Sequence, residues 1–225
     1  MEDGHEGLMK DWAASPRHSG QCFIRDGIID ADRWSRAPRK LLFVLREAYG
    51  DATDTEGWDL RVAIREEWDG PKYKIWWTVA YWAYALHRAS ADRLPPLPVD
   101  DSAFAAAREA LLSSAAINIK KSGGKSSSDL DDLASYVNSD GRYILRQIDL
   151  IAPEILICGN VWSLIRGLWP DARQVYDRVW VAGGRTVVDF WHPANQFPNG
   201  LNYYALAALL QNSGVLQECP TGDAS

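Results

Sequence analysis

The chain has 225 residues, a net charge of −6, 47% hydrophobic residues and 24% charged residues. That balance fits one globular domain over residues 1–225, and it sets aside a chain whose overall charge would attract nucleic acid by itself. The apolar runs are too short to span a bilayer, the N-terminus lacks an apolar signal core, and Cys22, Cys158 and Cys219 are too scattered for a disulfide framework. A cytoplasmic location is the default expectation, with no membrane and no obligatory protein partner.

Residues 1–22 read as a loose N-terminal arm, and Phe23 to Trp34 as short and mixed. Lys40 to Leu45 is a continuous apolar run between Pro38 and Gly50, the pattern of a buried parallel strand. Helices are expected over 58–68 and 73–88, the second apolar nearly all round and so deeply packed. After Leu94-Pro-Pro-Leu-Pro98 another helix should start near Asp101 as N-cap and run to about Leu112.

Ala115 to Ile119 reads as a second strand, followed by a Ser/Gly/Lys loop over 122–128. Asp140 to Ile151 carries isoleucines at helical spacing and ends at Pro153. Ile155 to Cys158 reads as a third strand, leading through Gly159 to a helix capped by Asn160. Strands at 179–181 and 186–190 flank Gly183-Gly184, and a last helix should run from about Asn202 to Gln211. Alternating strands and helices imply an α/β fold, a three-layer α/β/α sandwich around a mostly parallel four-stranded sheet. Most of the eleven tryptophans are then core, because large rings carry much of the burial energy.

In such folds ligands sit beyond the carboxyl ends of the strands. The first strand runs into Arg46-Glu47-Ala48-Tyr49-Gly50, the second contains Asn118 and leads to Lys120-Lys121, and the last runs into Trp191-His192-Pro193-Ala194-Asn195. A carboxylate, an amide and an imidazole therefore follow three strands of one expected sheet. Each alone suits a structural role, as a capping acid, a strand-end amide or a turn histidine; together they mark a site. Two basic clusters stand out against the acidic whole, Arg33, Arg36, Arg39, Lys40 with Arg46, and Lys120, Lys121, Lys125.

These segments resemble the uracil-DNA glycosylase superfamily, in a family-4-like branch. Phe43-Val44-Leu45-Arg46-Glu47-Ala48-Tyr49-Gly50 is similar to the first motif, a strand running into Gly-Glu-Ala-Pro-Gly. Asn118 to Lys121 resembles the segment of the base-reading asparagine, Gln147 to Gly159 the helix and strand after it, and His192-Pro193-Ala194 the His-Pro-Ser of the last motif. The likeness spans roughly residues 40–212, in order. Arg46, Tyr49 and Ala194 depart from the motif's glycine, proline and serine. Family-4 enzymes carry a four-cysteine iron–sulfur cluster. Three scattered cysteines cannot supply one, so neither a cluster nor another cofactor is expected.

The resemblance implies hydrolysis of the bond between a base and its deoxyribose, on a pyrimidine flipped out of DNA. Glu47 would stabilise the sugar cation and orient water, and His192 would donate to the departing base anion. Asn118 would pair with the base edge, the backbone of Tyr49 and Gly50 would add donors, and Trp58 or Tyr49 would stack on the ring. Lys120, Lys121, Lys125 and Arg46 would meet DNA phosphates. Gly50 stands where strict uracil enzymes place a tyrosine against C5. The pocket is therefore expected to admit 5-modified pyrimidines, up to a hypermodified cytosine of phage DNA, with plain uracil as the alternative. A non-catalytic binder of modified DNA is the other alternative. Gly124-Lys125-Ser126 looks like the end of a phosphate-binding loop, but Ile119 stands where that loop needs its first glycine. The His-x-Glu and Pro-Cys-x-x-Cys of zinc deaminases are missing.

Overall fold

The computed structural model describes residues 2–48, 56–66, 74–123 and 129–216. Its elements run, in chain order, α1 (Glu2–Ala13), β1 (Gly27–Ile28), α2 (Ala31–Ser35), β2 (Leu41–Leu45), α3 (Leu60–Glu66), α4 (Lys74–Arg88), α5 (Asp101–Leu112), β3 (Ala115–Asn118), α6 (Leu130–Ile151), β4 (Ile155–Gly159), α7 (Trp162–Ile165), a 3₁₀ turn (Arg166–Leu168), β5 (Arg173–Tyr176), β6 (Val179–Ala182), β7 (Arg185–Phe190) and α8 (Asn199–Asn212).

The fold is α/β, with the strands in the order β1-β3-β2-β4-β7-β6-β5. The expected parallel strands form the middle of the sheet: β3, β2, β4 and β7 are mutually parallel. The sheet is larger than four strands because antiparallel segments extend both edges, β1 beside β3 and the β5–β6 hairpin beside β7. β1 is two residues long and β5 is exposed throughout, so neither carries an apolar pattern that a sequence reading detects.

Every residue of β2 and β4 is buried, as strands covered on both faces must be. Side chains alternate between two apolar clusters. Leu41 and Phe43 pack with Trp82, Leu86 and Leu206 of α4 and α8 on one face. Leu42 and Val44 pack with Trp12, Ile144 and Ile148 of α1 and α6 on the other.

The N-terminal arm is not loose. α1 docks on α6, with Met9 and Trp12 fully buried and Trp12 stacked on Tyr143 at a centroid distance of 5.3 Å. His5, Leu8, Met9 and Trp12 fall at helical spacing, and Gly4, Gly7 and the charges between them mask it. Two caps also differ from expectation. Asp100, not Asp101, caps α5 by accepting from the Ala103 N–H. Asn160 does not cap α7; it takes a left-handed turn at φ 55° and donates its N–H to the carbonyls of Cys158 and Phe190. No helix among the described residues is long and apolar enough to cross a membrane.

Candidate functional site

The carboxyl ends of β3, β2, β4 and β7 lie side by side at one edge of the sheet. Asn118 closes β3, opposite Leu45 at the end of β2. The pairing continues beyond the strands: Ile119 N–H donates to the Leu45 carbonyl at 2.9 Å and Lys120 N–H to that of Arg46 at 3.0 Å. Glu47 therefore leaves the sheet next to Lys120, and the Lys120 ammonium sits 2.9 Å from Glu47 Oε2 and 2.7 Å from Asp132 Oδ2. The Glu47 side chain is 5% exposed, so this ion pair is largely shielded from water. Burial disfavours the charge on Lys120, but its hydrogen bonds to Asp132 and Glu47 outweigh that and hold the ammonium above the usual lysine range.

His192 follows β7 in a turn pinned by Asn195, whose backbone N–H and side-chain amide both donate to the His192 carbonyl. The Ala194 N–H donates to His192 Nδ1 at 3.2 Å. Burial, with the Arg46 cation as a lesser cause, pushes the imidazole down to about 4. At neutral pH the ring is thus uncharged, and with Nδ1 accepting, its proton sits on Nε2 as a donor. β4 lies between β2 and β7, and its last residue, Gly159, makes the approach possible. A Cβ there would stand 2.9 Å from Leu45 Cδ2 and 3.3 Å from Pro193 Cδ.

One sheet edge thus gathers an ion-paired carboxylate, a strand-end amide and a neutral imidazole donor. Asn118 and Glu47 stand on neighbouring strands, and His192 lies two strands from Glu47, roughly 10 Å at the usual spacing.

Lys121, expected to meet a DNA phosphate, is not at the surface. It is fully buried, its ammonium 2.6 and 2.8 Å from the two oxygens of Asp26 and 2.9 Å from Gln147 Oε1, so it cannot reach a DNA phosphate. Asp26 in turn accepts from the Asn118 N–H at 2.8 Å, so the Lys121–Asp26 pair fixes the strand end that carries Asn118. No sequence motif marks Asp26. Nor does one mark Asp132, which shares Lys120 with Glu47 from the first turn of α6.

Lys120 is engaged by two carboxylates and faces Glu47, not open solvent. Arg46 is half-buried, and its Nε has no hydrogen-bond partner among the described residues. Three members of the other basic cluster are engaged: Arg33 pairs with Asp30 and Glu109, Arg39 donates to the carbonyls of Leu86 and Ala89, and Lys40 to those of Trp34 and Ser35. Trp58 is half-buried, and its carbonyl accepts from the Arg25 N–H in the segment before β1. Tyr49, Gly50 and Lys125 lie outside the described residues.

Among the described residues no three His, Cys, Asp or Glu side chains gather where a metal ion could be held. Cys158 is fully buried, and burial pushes its thiol well above the usual range. The chain matches no protein-family model, and no curated protein matches it in sequence.

Proposed function

We propose that this protein is a DNA N-glycosylase that hydrolyses the bond between a pyrimidine and its deoxyribose and leaves an abasic site. The observation that carries the reading is the neutral His192, held with Nδ1 accepting and Nε2–H free to donate, at the sheet edge that also bears Glu47 and Asn118. A departing base becomes anionic as the bond breaks. A preset donor stabilises that charge more than it stabilises the neutral substrate, which is what lowers the barrier. Glu47 faces the opposite need, a carboxylate against the cationic sugar and a hydrogen-bond acceptor for water. Asn118 can pair with a pyrimidine edge through one donor and one acceptor. The motifs that resemble the uracil-DNA glycosylase superfamily bring the same three residues forward. With Gly50 in the first motif, the substrate we favour carries a substituent at C5, a hypermodified cytosine of phage DNA before plain uracil.

The Glu47–Lys120 ion pair favours a second reading, since it compensates the charge that would stabilise the sugar cation. In that reading the same crevice holds a modified base without cleaving it.

The deciding measurement is the formation of alkali-labile sites in oligonucleotides bearing uracil, 5-hydroxymethylcytosine or glucosylated cytosine. Glu47→Gln should keep the fold and lose about 10²-fold in cleavage, the usual scale for a positioned acid–base group. Tight binding of modified DNA without cleavage by the unaltered protein would establish the binder instead. Cleavage by Glu47→Gln at the unaltered rate would remove Glu47 from the mechanism.

A further inference from the structure

A cleft of about 530 Å³ opens beside the segment that leads into β1, lined by Ala13, His18, Gln21, Phe23, Arg25 and Trp58 among others. Its walls are fixed by backbone contacts. Arg25 N–H donates to the Trp58 carbonyl and Leu60 N–H to the Arg25 carbonyl, both at 2.9 Å. Gly57 lies so close to the Phe23 carbonyl that a Cβ would stand 2.5 Å from it. The opposite wall is the turn after α1. The volume falls in the range of small-ligand sites.

The polar groups of this cleft are arranged for a ligand. His18 is buried and its Nε2 lies 2.8 Å from Asp140 Oδ2, while its Nδ1 is buried with no hydrogen-bond partner among the described residues. A carboxylate only accepts, so Nε2 carries a proton, and the pair holds His18 in the wall of the cleft. The Tyr136 hydroxyl donates to Gln21 Oε1 at 3.3 Å, which leaves the Gln21 amide nitrogen open as a donor. Arg25 is exposed, and its guanidinium makes no ion pair or side-chain hydrogen bond among the described residues. The acid in the wall, Asp59, is already engaged by Arg61 at 2.6 Å, so it opposes an incoming anion little.

An amide donor, an indole wall and a free cation at the rim together match a planar heterocycle carrying a phosphate. We infer that this cleft binds a single nucleotide, its base against Trp58, its edge on Gln21, and its phosphate on Arg25. Tyr136 connects the cleft to the candidate site, since its ring lies 5.2 Å from the Lys120 ammonium that pairs with Glu47. The occupant is then an unpaired nucleotide of the strand whose target base is held at Glu47, Asn118 and His192, a step that rests on the proposed glycosylase reading. Stacking on an aromatic wall is tolerant of sequence, which suits a nucleotide that is held but not read.

The test is calorimetric titration of the full-length protein with deoxycytidine 5′-monophosphate, deoxycytidine and ribose 5-phosphate. The nucleotide should bind more tightly than either fragment. Arg25→Ala should weaken the nucleotide about tenfold, the worth of one charge-assisted hydrogen bond, and leave deoxycytidine unchanged. Gln21→Ala should weaken both. Both Arg25 and Gln21 are exposed, so their variants should fold. Failure of the nucleotide to bind, equal binding of ribose 5-phosphate, or unaltered nucleotide binding by both Arg25→Ala and Gln21→Ala would overturn the assignment. If the unaltered protein forms no abasic sites but these titrations come out as expected, the glycosylase reading falls and the nucleotide cleft stands.

Discussion

Lys120 and Lys121 are neighbours in the chain with opposite fates. Past the end of β3 one points to the rim of the crevice and pairs with Glu47 and Asp132, while the other is swallowed by the interior and held by Asp26 and Gln147. Both read from the sequence as phosphate contacts, because a lysine beside a lysine looks like a solvated patch. Their sites differ because residues on the two sides of an extended chain face opposite ways. The interior position pulls the Lys121 ammonium below the usual lysine range through burial, against the attraction of Asp26. Lys121→Met should therefore cost about 3–5 kcal/mol, since it leaves the Asp26 charge buried and unpaired. Urea denaturation measures it, and an unchanged midpoint would return Lys121 to the surface. Glu47, Asn118 and His192 were legible because each follows an apolar run. Asp26 was not, since it follows none and acts through a contact ninety-two residues away in sequence.

At the level of elements, the loops do the positioning and the strands supply the frame. Gly159 lets the β4 end lie against both Leu45 and Pro193, so the β2 and β7 loops close over it. Gly159→Ala should push the His192 turn outward. The expected outcome is a stability loss of about 1–3 kcal/mol, typical of overpacking, with a larger fractional loss of cleavage than of DNA binding. Equal losses of both would mean that the turn serves binding alone. α1 is the element the sequence concealed. Its buried stripe is narrow and interrupted by glycines, and only contact with α6 gives it an apolar surface to cover. Trp12→Ala should cost about 3–5 kcal/mol, the usual price of removing a buried aromatic ring. A loose arm would show no change in thermal or urea unfolding.

For the whole molecule, charge and acidity set the terms of function. The net charge of −6 gives DNA no general attraction, and the two ends of β2 keep Lys40 and Arg46 roughly 20 Å apart. Any nucleic acid must therefore be met locally, at the crevice edge and at Arg25. The histidines give the molecule an acid sensitivity. Burial is the leading cause in each case, lowering His87 and His192 to about 4 and His5 below its usual value. The unfolded chain takes up these protons near pH 6.5, whereas the folded protein holds off those of His87 and His192 until about pH 4. Stability should be full above pH 6.5 and fall as the pH drops from there toward 4. Melting temperatures across that range test this, and His87→Asn should flatten the slope. A midpoint independent of pH between 7 and 4 would mean that these rings are charged in the folded state.

The sequence by itself determined the central parallel strands, the apolar α4, and the order in which a carboxylate, an amide and an imidazole leave the sheet. These follow from local pattern: runs of apolar residues, their period, and the polar residue that ends each run. Tertiary structure alone decided which strands are neighbours, that Lys120 neutralises Glu47, that Lys121 is a strut under Asn118, and that α1 closes the cleft of His18 and Gln21. The physical reason is range. Periodicity is written in the four or five residues on either side, whereas the sharing of a charge, or the burial of one lysine and not the next, depends on side chains brought together from distant parts of the chain.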